Sequence, residues 1–127
     1  MKVNELRVGN LIQWRSTGNI EEVKDIVTYD KKQASINNVN ISDCLSIPLT
    51  EEWLLKLGFE KSGIGYTNDP LGLGGFTIYL PDVVYPNGKV IWNCWTILDA
   101  MPSSVHSLQN LYCALTGEEL TLNNPKH

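Results

Sequence analysis

Two stretches of the chain carry apolar residues at helical spacing between a capping residue and a glycine. In Pro48-Leu49-Thr50-Glu51-Glu52-Trp53-Leu54-Leu55-Lys56-Leu57-Gly58-Phe59, Trp53, Leu54 and Leu57 form a core-facing stripe. Thr50 is the predicted N-cap, and Glu51 and Glu52 sit where the helix dipole favours carboxylates. Leu49 and Leu54 hold the positions of a hydrophobic staple, and Gly58 stops the helix so that Phe59 folds back on it. The second helix is predicted from about Ser104 to Leu115, with Ser103 as N-cap, Gly117 as stop, and Val105, Leu108, Leu111, Tyr112 and Leu115 buried.

The rest of the chain reads as strands and turns. Up to residue 47, the pattern predicts strands at Asn10–Trp14, Glu21–Tyr29, Ala34–Ile36 and Val39–Ile41. In the second of these, Val23 and Val27 share one face and Ile26 takes the other. The turns fall at Ser16–Asn19, Asp30–Gln33 and Asn37-Asn38. Short strands at this spacing point to an SH3-like small barrel or meander. After the first helix, residues 61–75 read as loop around a short Ile64-Gly65-Tyr66 strand, and Phe76–Leu80 is a strand. Pro86-Asn87-Gly88 predicts a tight hairpin between Val83–Tyr85 and Lys89–Trp92. Val90–Leu98 reads as one strand, apolar on both faces and covered on both sides. The tail from Leu120 is expected to fray. The fold class is therefore α+β: a β-lobe over 1–47 and, over 48–127, an antiparallel sheet with two packed helices, together one compact unit.

Composition narrows the function without naming it. The 127 residues are 43% hydrophobic, with no run long enough to span a bilayer and no apolar signal-peptide core near Met1. A cytoplasmic protein without membrane attachment is expected. Net charge is −4, and residues 51–127, with four basic and eight acidic side chains, carry the whole excess. That balance, and the confinement of the one adjacent basic pair, Lys31-Lys32, to a turn, disfavour nucleic-acid binding. Cys44, Cys94 and Cys113 are odd in number and widely spaced, which points to buried reduced thiols.

Candidate chemistry is sparse. His106, Gln109, Asn110 and Cys113 fall within a roughly 100° arc of the second helix, opposite the leucines. A thiol pair of His106 and Cys113 fails on distance, since seven helical residues separate them by roughly 10 Å. The arc reads as a polar face that caps a sheet edge or touches the β-lobe. With two histidines, one of them terminal, no metal site is expected, and no catalytic residue or cofactor is assigned. Gly72-Leu73-Gly74-Gly75 precedes a strand, so it reads as a hairpin loop and not a phosphate cradle. Among the four tryptophans, Trp53 and one of Trp92 and Trp95 are expected in the core, while Trp14, beside Arg15 at a strand end, is the best candidate for an exposed recognition residue, against core or half-buried packing as the default.

Asn4-Glu5-Leu6-Arg7-Val8-Gly9-Asn10, Ile47–Phe59 and Val105–Leu120, in that order, resemble a family of small uncharacterised proteins of Bacteroides-type bacteria and their phages and prophages. The resemblance implies a bacterial cytoplasm and a mobile-element origin, with no activity to carry over. The chain departs from the family at Ser107, where glutamine is common, and at Cys113, where an aromatic is common, which marks 113 as a packing position. The leading expectation is a non-enzymatic module that binds a host or phage protein through the β-lobe, Trp14, Arg15 and the 68–75 loop. The alternative is a small-molecule, nucleotide-type binder with a pocket between the lobes lined by Tyr66, Tyr79 or Trp95, with His106, Gln109 and Asn110 as further binding candidates. A thiol enzyme ranks below both.

Overall fold

The computed structural model describes residues 3–30, 33–68, 75–92, 95–98 and 102–120, with the backbone alone over 95–98. The fold is α+β, with antiparallel sheets throughout. The chain divides into two compact units. One comprises Met1–Pro48 and Ser103–Leu111, the other Leu49–Pro102 and Tyr112–His127. The opening half of the second helix thus belongs with the β-lobe.

In the first unit, β1 (Leu11–Trp14) lies between β2 (Ile20–Glu22) and β6 (Cys44–Leu45). A second sheet holds β3 (Ile26–Thr28), β4 (Ala34–Ile36) and β5 (Val39–Asn40) in that order. A 3-10 turn over Ile41–Asp43 leads into β6. Ile12, Trp14, Val23, Ala34, Ile36, Ile41 and Cys44 form the buried core, with Ile26 packed against it.

The single strand expected over Glu21–Tyr29 is broken in two, and one side chain explains why. Asn37 Oδ1 accepts from the N–H groups of Lys24 and Asp25 at 2.7 and 3.0 Å, and Asn37 Nδ2 donates to the Glu22 carbonyl at 2.9 Å. Those backbone groups are thereby satisfied without a strand partner, and the chain bends. Val23 stays with the first sheet, since its N–H donates to the Asn10 carbonyl and its carbonyl accepts from Gly9 N–H. The bend also changes the faces: Val23 and Ile26 share the core, while Val27 is exposed. Asn37 and Asn38 themselves have φ of 52° and 68°, the left-handed pair of a tight hairpin turn, as expected at that dipeptide.

In the second unit, α1 (Glu51–Lys56) begins at Thr50, whose Oγ1 accepts from Trp53 N–H. It ends in a Schellman motif: Gly58 N–H donates to the Leu55 carbonyl and Phe59 N–H to the Leu54 carbonyl, with Gly58 at φ 94°. Leu54 and Leu57 are buried, but Trp53, expected beside them, is only half-buried and carries Lys56 Nζ 4.8 Å above its ring. A five-stranded sheet follows, formed by β7 (Glu60–Ser62), β8 (Gly65–Asn68), β9 (Phe76–Tyr79), β10 (Lys89–Trp92) and β11 (Trp95–Leu98) in the order β11-β10-β9-β8-β7. Tyr66, Ile78 and Val90 are cross-strand neighbours in one buried row. Phe59, Phe76 and Tyr112 meet edge-on or tilted, with ring centroids 5.1 to 6.2 Å apart, and Trp92 leans on Phe76.

Two strand expectations in this sheet fail. Val83–Tyr85 is not a strand, and Lys89–Trp92 pairs instead with β9, Lys89 opposite Tyr79. Asp82 decides this. Its Oδ1 accepts from the N–H groups of Val84 and Tyr85 at 2.8 and 3.2 Å, curling the segment into a turn. The continuous strand over Val90–Leu98 is two antiparallel strands, with Trp92 opposite Trp95. The 61–75 stretch, read as mostly loop, contributes most of β7 and all of β8. Residues 69–74 of the expected flexible loop and the tail beyond Leu120 lie outside the described residues.

Replacing Asn37 with Ala removes three hydrogen bonds and a residue type tolerant of positive φ. A loss of about 1–3 kcal/mol is expected in denaturant unfolding. Asn37→Asp, which keeps the acceptor but not the donor, should fall between Ala and the parent.

Candidate functional site

The polar arc of the second helix, α2 (Val105–Thr116), is the densest set of candidate side chains in the chain. The cap is Ser104 and not Ser103. Ser104 Oγ accepts from Ser107 N–H at 3.3 Å, and the Ser104 carbonyl accepts from Leu108 N–H. Ser104 is fixed there by an antiparallel bridge to Pro48 and by the bond from Val105 N–H to the Ile47 carbonyl. Cap and strand end are thus set together, one residue later than local pattern predicts.

Gln109 is fully buried. Its Oε1 accepts from Leu11 N–H at 2.8 Å, and its Nε2 donates to the Gly9 carbonyl at 3.0 Å. The side-chain amide thus pairs with the backbone beside β1 much as a neighbouring strand would. Asn110 works one position along. Its Oδ1 accepts from Arg7 Nε and from Asn10 Nδ2, both at 2.8 Å, and its Nδ2 donates to the Glu5 carbonyl at 3.0 Å. Arg7 also reaches the Gln109 carbonyl at 3.3 Å, and Arg7 N–H donates to Asn10 Oδ1 at 2.7 Å. Among the described residues, no buried side-chain nitrogen or oxygen lacks a partner. Asn4–Asn10 and the start of α2 are therefore the two halves of one hydrogen-bonded lock within the first unit.

His106 is buried at the edge of this lock. Its Nδ1 lies 3.3 Å from Ser104 Oγ, and its Nε2 lies 3.4 Å from Glu5 Oε1. Burial pushes the imidazole below its ordinary value of 6.5, and this outweighs the Glu5 carboxylate, which pulls it up. Cys113, the other half of the thiol pair weighed above, has its Sγ 3.5 Å from Glu119 Oε2. Cys44 is buried, and desolvation with Asp43 nearby pushes its thiol up to about 11, so it stays protonated and unreactive at neutral pH. Cys94 lies outside the described residues.

The remaining candidates do not converge on one site. Trp14, the candidate for exposed recognition, takes its default packed place and is only 8% exposed. It packs into the β-lobe core while its Nε1 donates to Glu21 Oε1 at 2.6 Å, which satisfies the indole and lets the ring go inward. Arg15 is exposed, with its backbone N–H bonded to the Asp43 carbonyl. Tyr66 is buried in the second unit, where burial and then the neighbouring Glu51 carboxylate push its hydroxyl up. It lines an open cleft of about 290 Å³ with Lys61, Ile64, Leu80, Pro81 and Asp82. Tyr79 meets Tyr85 at a tilt, with ring centroids 4.8 Å apart, and covers Gly65, where an added Cβ would meet the Tyr79 ring at 2.8 Å. The side chain of Trp95 lies outside the described residues. Arg7, Asn10, Asn37 and Asp82 were missed as key residues. The only sequence signal for the first two was their place in the Asn4–Asn10 segment.

Among the described residues, no cluster of three or more His, Cys, Asp or Glu side chains is placed to hold a metal, and no helix is long and apolar enough to cross a membrane. Comparison of the chain with protein-family models, curated proteins and solved structures finds no match.

Two measurements check this account of the polar arc. Gln109→Leu leaves Leu11 N–H and the Gly9 carbonyl without partners, and should cost roughly 2–4 kcal/mol in denaturant unfolding. For His106, the unfolded chain takes up its proton at a higher pH than the folded one. Its contribution to stability is therefore complete above about pH 6.5 and declines as pH falls through that value towards the lowered folded one. His106→Gln should flatten the fall of stability as pH drops below about 6.5.

Proposed function

We propose that the protein is a non-enzymatic interaction module that binds another protein through its β-lobe. The observation that carries this reading is on β3. This strand is an edge of its sheet, and it and the residue after it present Val27 and Tyr29, 40% and 66% exposed, two positions apart and hence on one face. An exposed edge with apolar side chains is the surface to which an extended peptide adds as a further strand. The polar candidates Gln109, Asn110 and His106 are engaged in holding the lobe together.

The order of elements supports an SH3-like reading of this lobe. Its two three-stranded sheets share the bent segment Ile20–Thr28, and a 3-10 turn precedes the last strand. The resemblance of the helix and Asn4–Asn10 segments supports a phage or prophage origin and a bacterial cytoplasmic setting, with a host or phage protein as partner. Trp14 drops out of the proposed contact surface because it is buried.

The second reading, a small-molecule binder, has the Tyr66 cleft in its favour. At about 290 Å³ and open to solvent, the cleft sits at the lower limit of ligand pockets, which run from roughly 300 to 1,000 Å³. The protein-binding reading therefore ranks first.

Gentle purification from a Bacteroides-type host followed by native mass spectrometry tests both. A discrete protein should accompany the parent chain and be lost from a Val27→Glu/Tyr29→Ala variant whose circular dichroism is unchanged. Retention of that protein by the variant, or a parent chain that carries no protein at all, would overturn the reading. An added mass of a few hundred daltons in place of a protein would transfer the assignment to the cleft.

A further inference from the structure

The open edge of β3 has a defined hydrogen-bonding register. Asn37 N–H donates to the Asp25 carbonyl and Tyr29 N–H to the Gln33 carbonyl, both at 2.9 Å. Bonded positions alternate along an antiparallel ladder, so Val27 also bonds inward, to Ser35 opposite. Ile26 and Thr28 lie between these positions, and their N–H and carbonyl groups face away from β4. No other described residue bonds them. The open stretch begins abruptly, because Asn37 Oδ1 takes the N–H groups of Lys24 and Asp25 and the chain bends there.

The same ladder puts Asp25, Val27 and Tyr29 on one face, and all three are exposed. Asp25 makes no ion pair with any described residue, and Lys24 lies beyond the last ladder bond. The outward groups also set the direction of an added strand. An antiparallel segment meets all four of them with the two residues opposite Ile26 and Thr28. A parallel segment has to reach from opposite Asp25, where the chain bends away, to opposite Tyr29.

On the strand-addition reading above, on which this rests, we infer that the edge takes an antiparallel segment of definite pattern. From its N-terminal side it carries an aromatic, a β-branched residue and a cation at alternate positions. The aromatic lies against Tyr29, and the β-branched residue faces Val27 at the close, non-bonded position. The cation, a lysine or arginine, reaches the Asp25 carboxylate. A second copy of β3 does not supply this pattern: paired twofold about Val27, it sets Asp25 against Tyr29 and leaves the carboxylate without a cation.

Backbone-amide NMR of the full chain tests the inference. The probe is a blocked heptapeptide of threonine with tyrosine, valine and lysine at its second, fourth and sixth places. It is added to about 2 mM, the range in which so short a segment binds. The Ile26 and Thr28 amide signals should shift, and those lining the Tyr66 cleft should not. Glutamate in place of the lysine should weaken binding about threefold, and Asp25→Lys should reverse the preference. N-methylation of the third and fifth peptide residues, opposite Thr28 and Ile26, should abolish binding.

The two ways of failing are distinguishable. If the lysine and glutamate peptides shift Ile26 and Thr28 equally, or Asp25→Lys keeps the parent's preference, the inferred pattern is overturned while strand addition stands. If neither peptide shifts Ile26 and Thr28, or the N-methylated peptide binds as well as its parent, the inference falls together with the edge on which it rests.

Discussion

The first unit depends on an amide of a helix side chain standing in for a strand. Gln109 offers one acceptor and one donor, and the chain beside β1 offers one N–H and one carbonyl in matching order. Because the residue is fully buried, neither backbone group can turn to water if the amide is lost. Asn110 extends the same pairing to Arg7 and Asn10, so the helix is positioned by directional bonds as well as by the burial of Val105 and Leu108. Apolar burial tolerates a slide of the helix along its axis. A two-point amide contact does not, and it sets the register of α2 against the lobe.

The second unit is held by different means. Its core is aromatic: Phe59 after the α1 Schellman turn, Phe76 and Trp92 from the sheet, and Tyr112 from α2. These rings meet edge-on or tilted, a contact geometry that adds to their burial. The same helix thus supplies amides to one unit and a tyrosine to the other.

What could be read from the sequence was what is decided locally. The caps and stops of α1 lie within a few residues of the helix they end, and Thr50, Gly58 and Phe59 behave as the pattern predicts. The Asn37-Asn38 turn was legible for the same reason. The break in Glu21–Tyr29 was not, because the side chain that causes it lies 12 to 15 residues away, at Asn37. The hairpin signal of Pro86-Asn87-Gly88 was outcompeted by Asp82, which captures two backbone N–H groups that a strand at Val83–Tyr85 would have needed. For Trp14 the sequence left exposure beside Arg15 open against packing, because the partner that lets its indole go inward, Glu21, stands on β2. The polar arc of α2 was visible as a cluster, and contact with the β-lobe was among its expected roles. Its partners, about 100 positions earlier, were not visible, because nothing in local spacing reports them.

That distance along the chain has a consequence for synthesis. The bonds that complete the first unit join residues 98 to 105 positions apart. A ribosome adding about 5–20 residues per second delivers Leu11 well before Gln109, by roughly 5–20 s. During that interval the β-lobe waits with Gly9 and Leu11 still bonded to water, and the later-made second unit has most of its own chain in hand before the first can close. The N-terminal lobe is thus the first to be made and among the last to be finished.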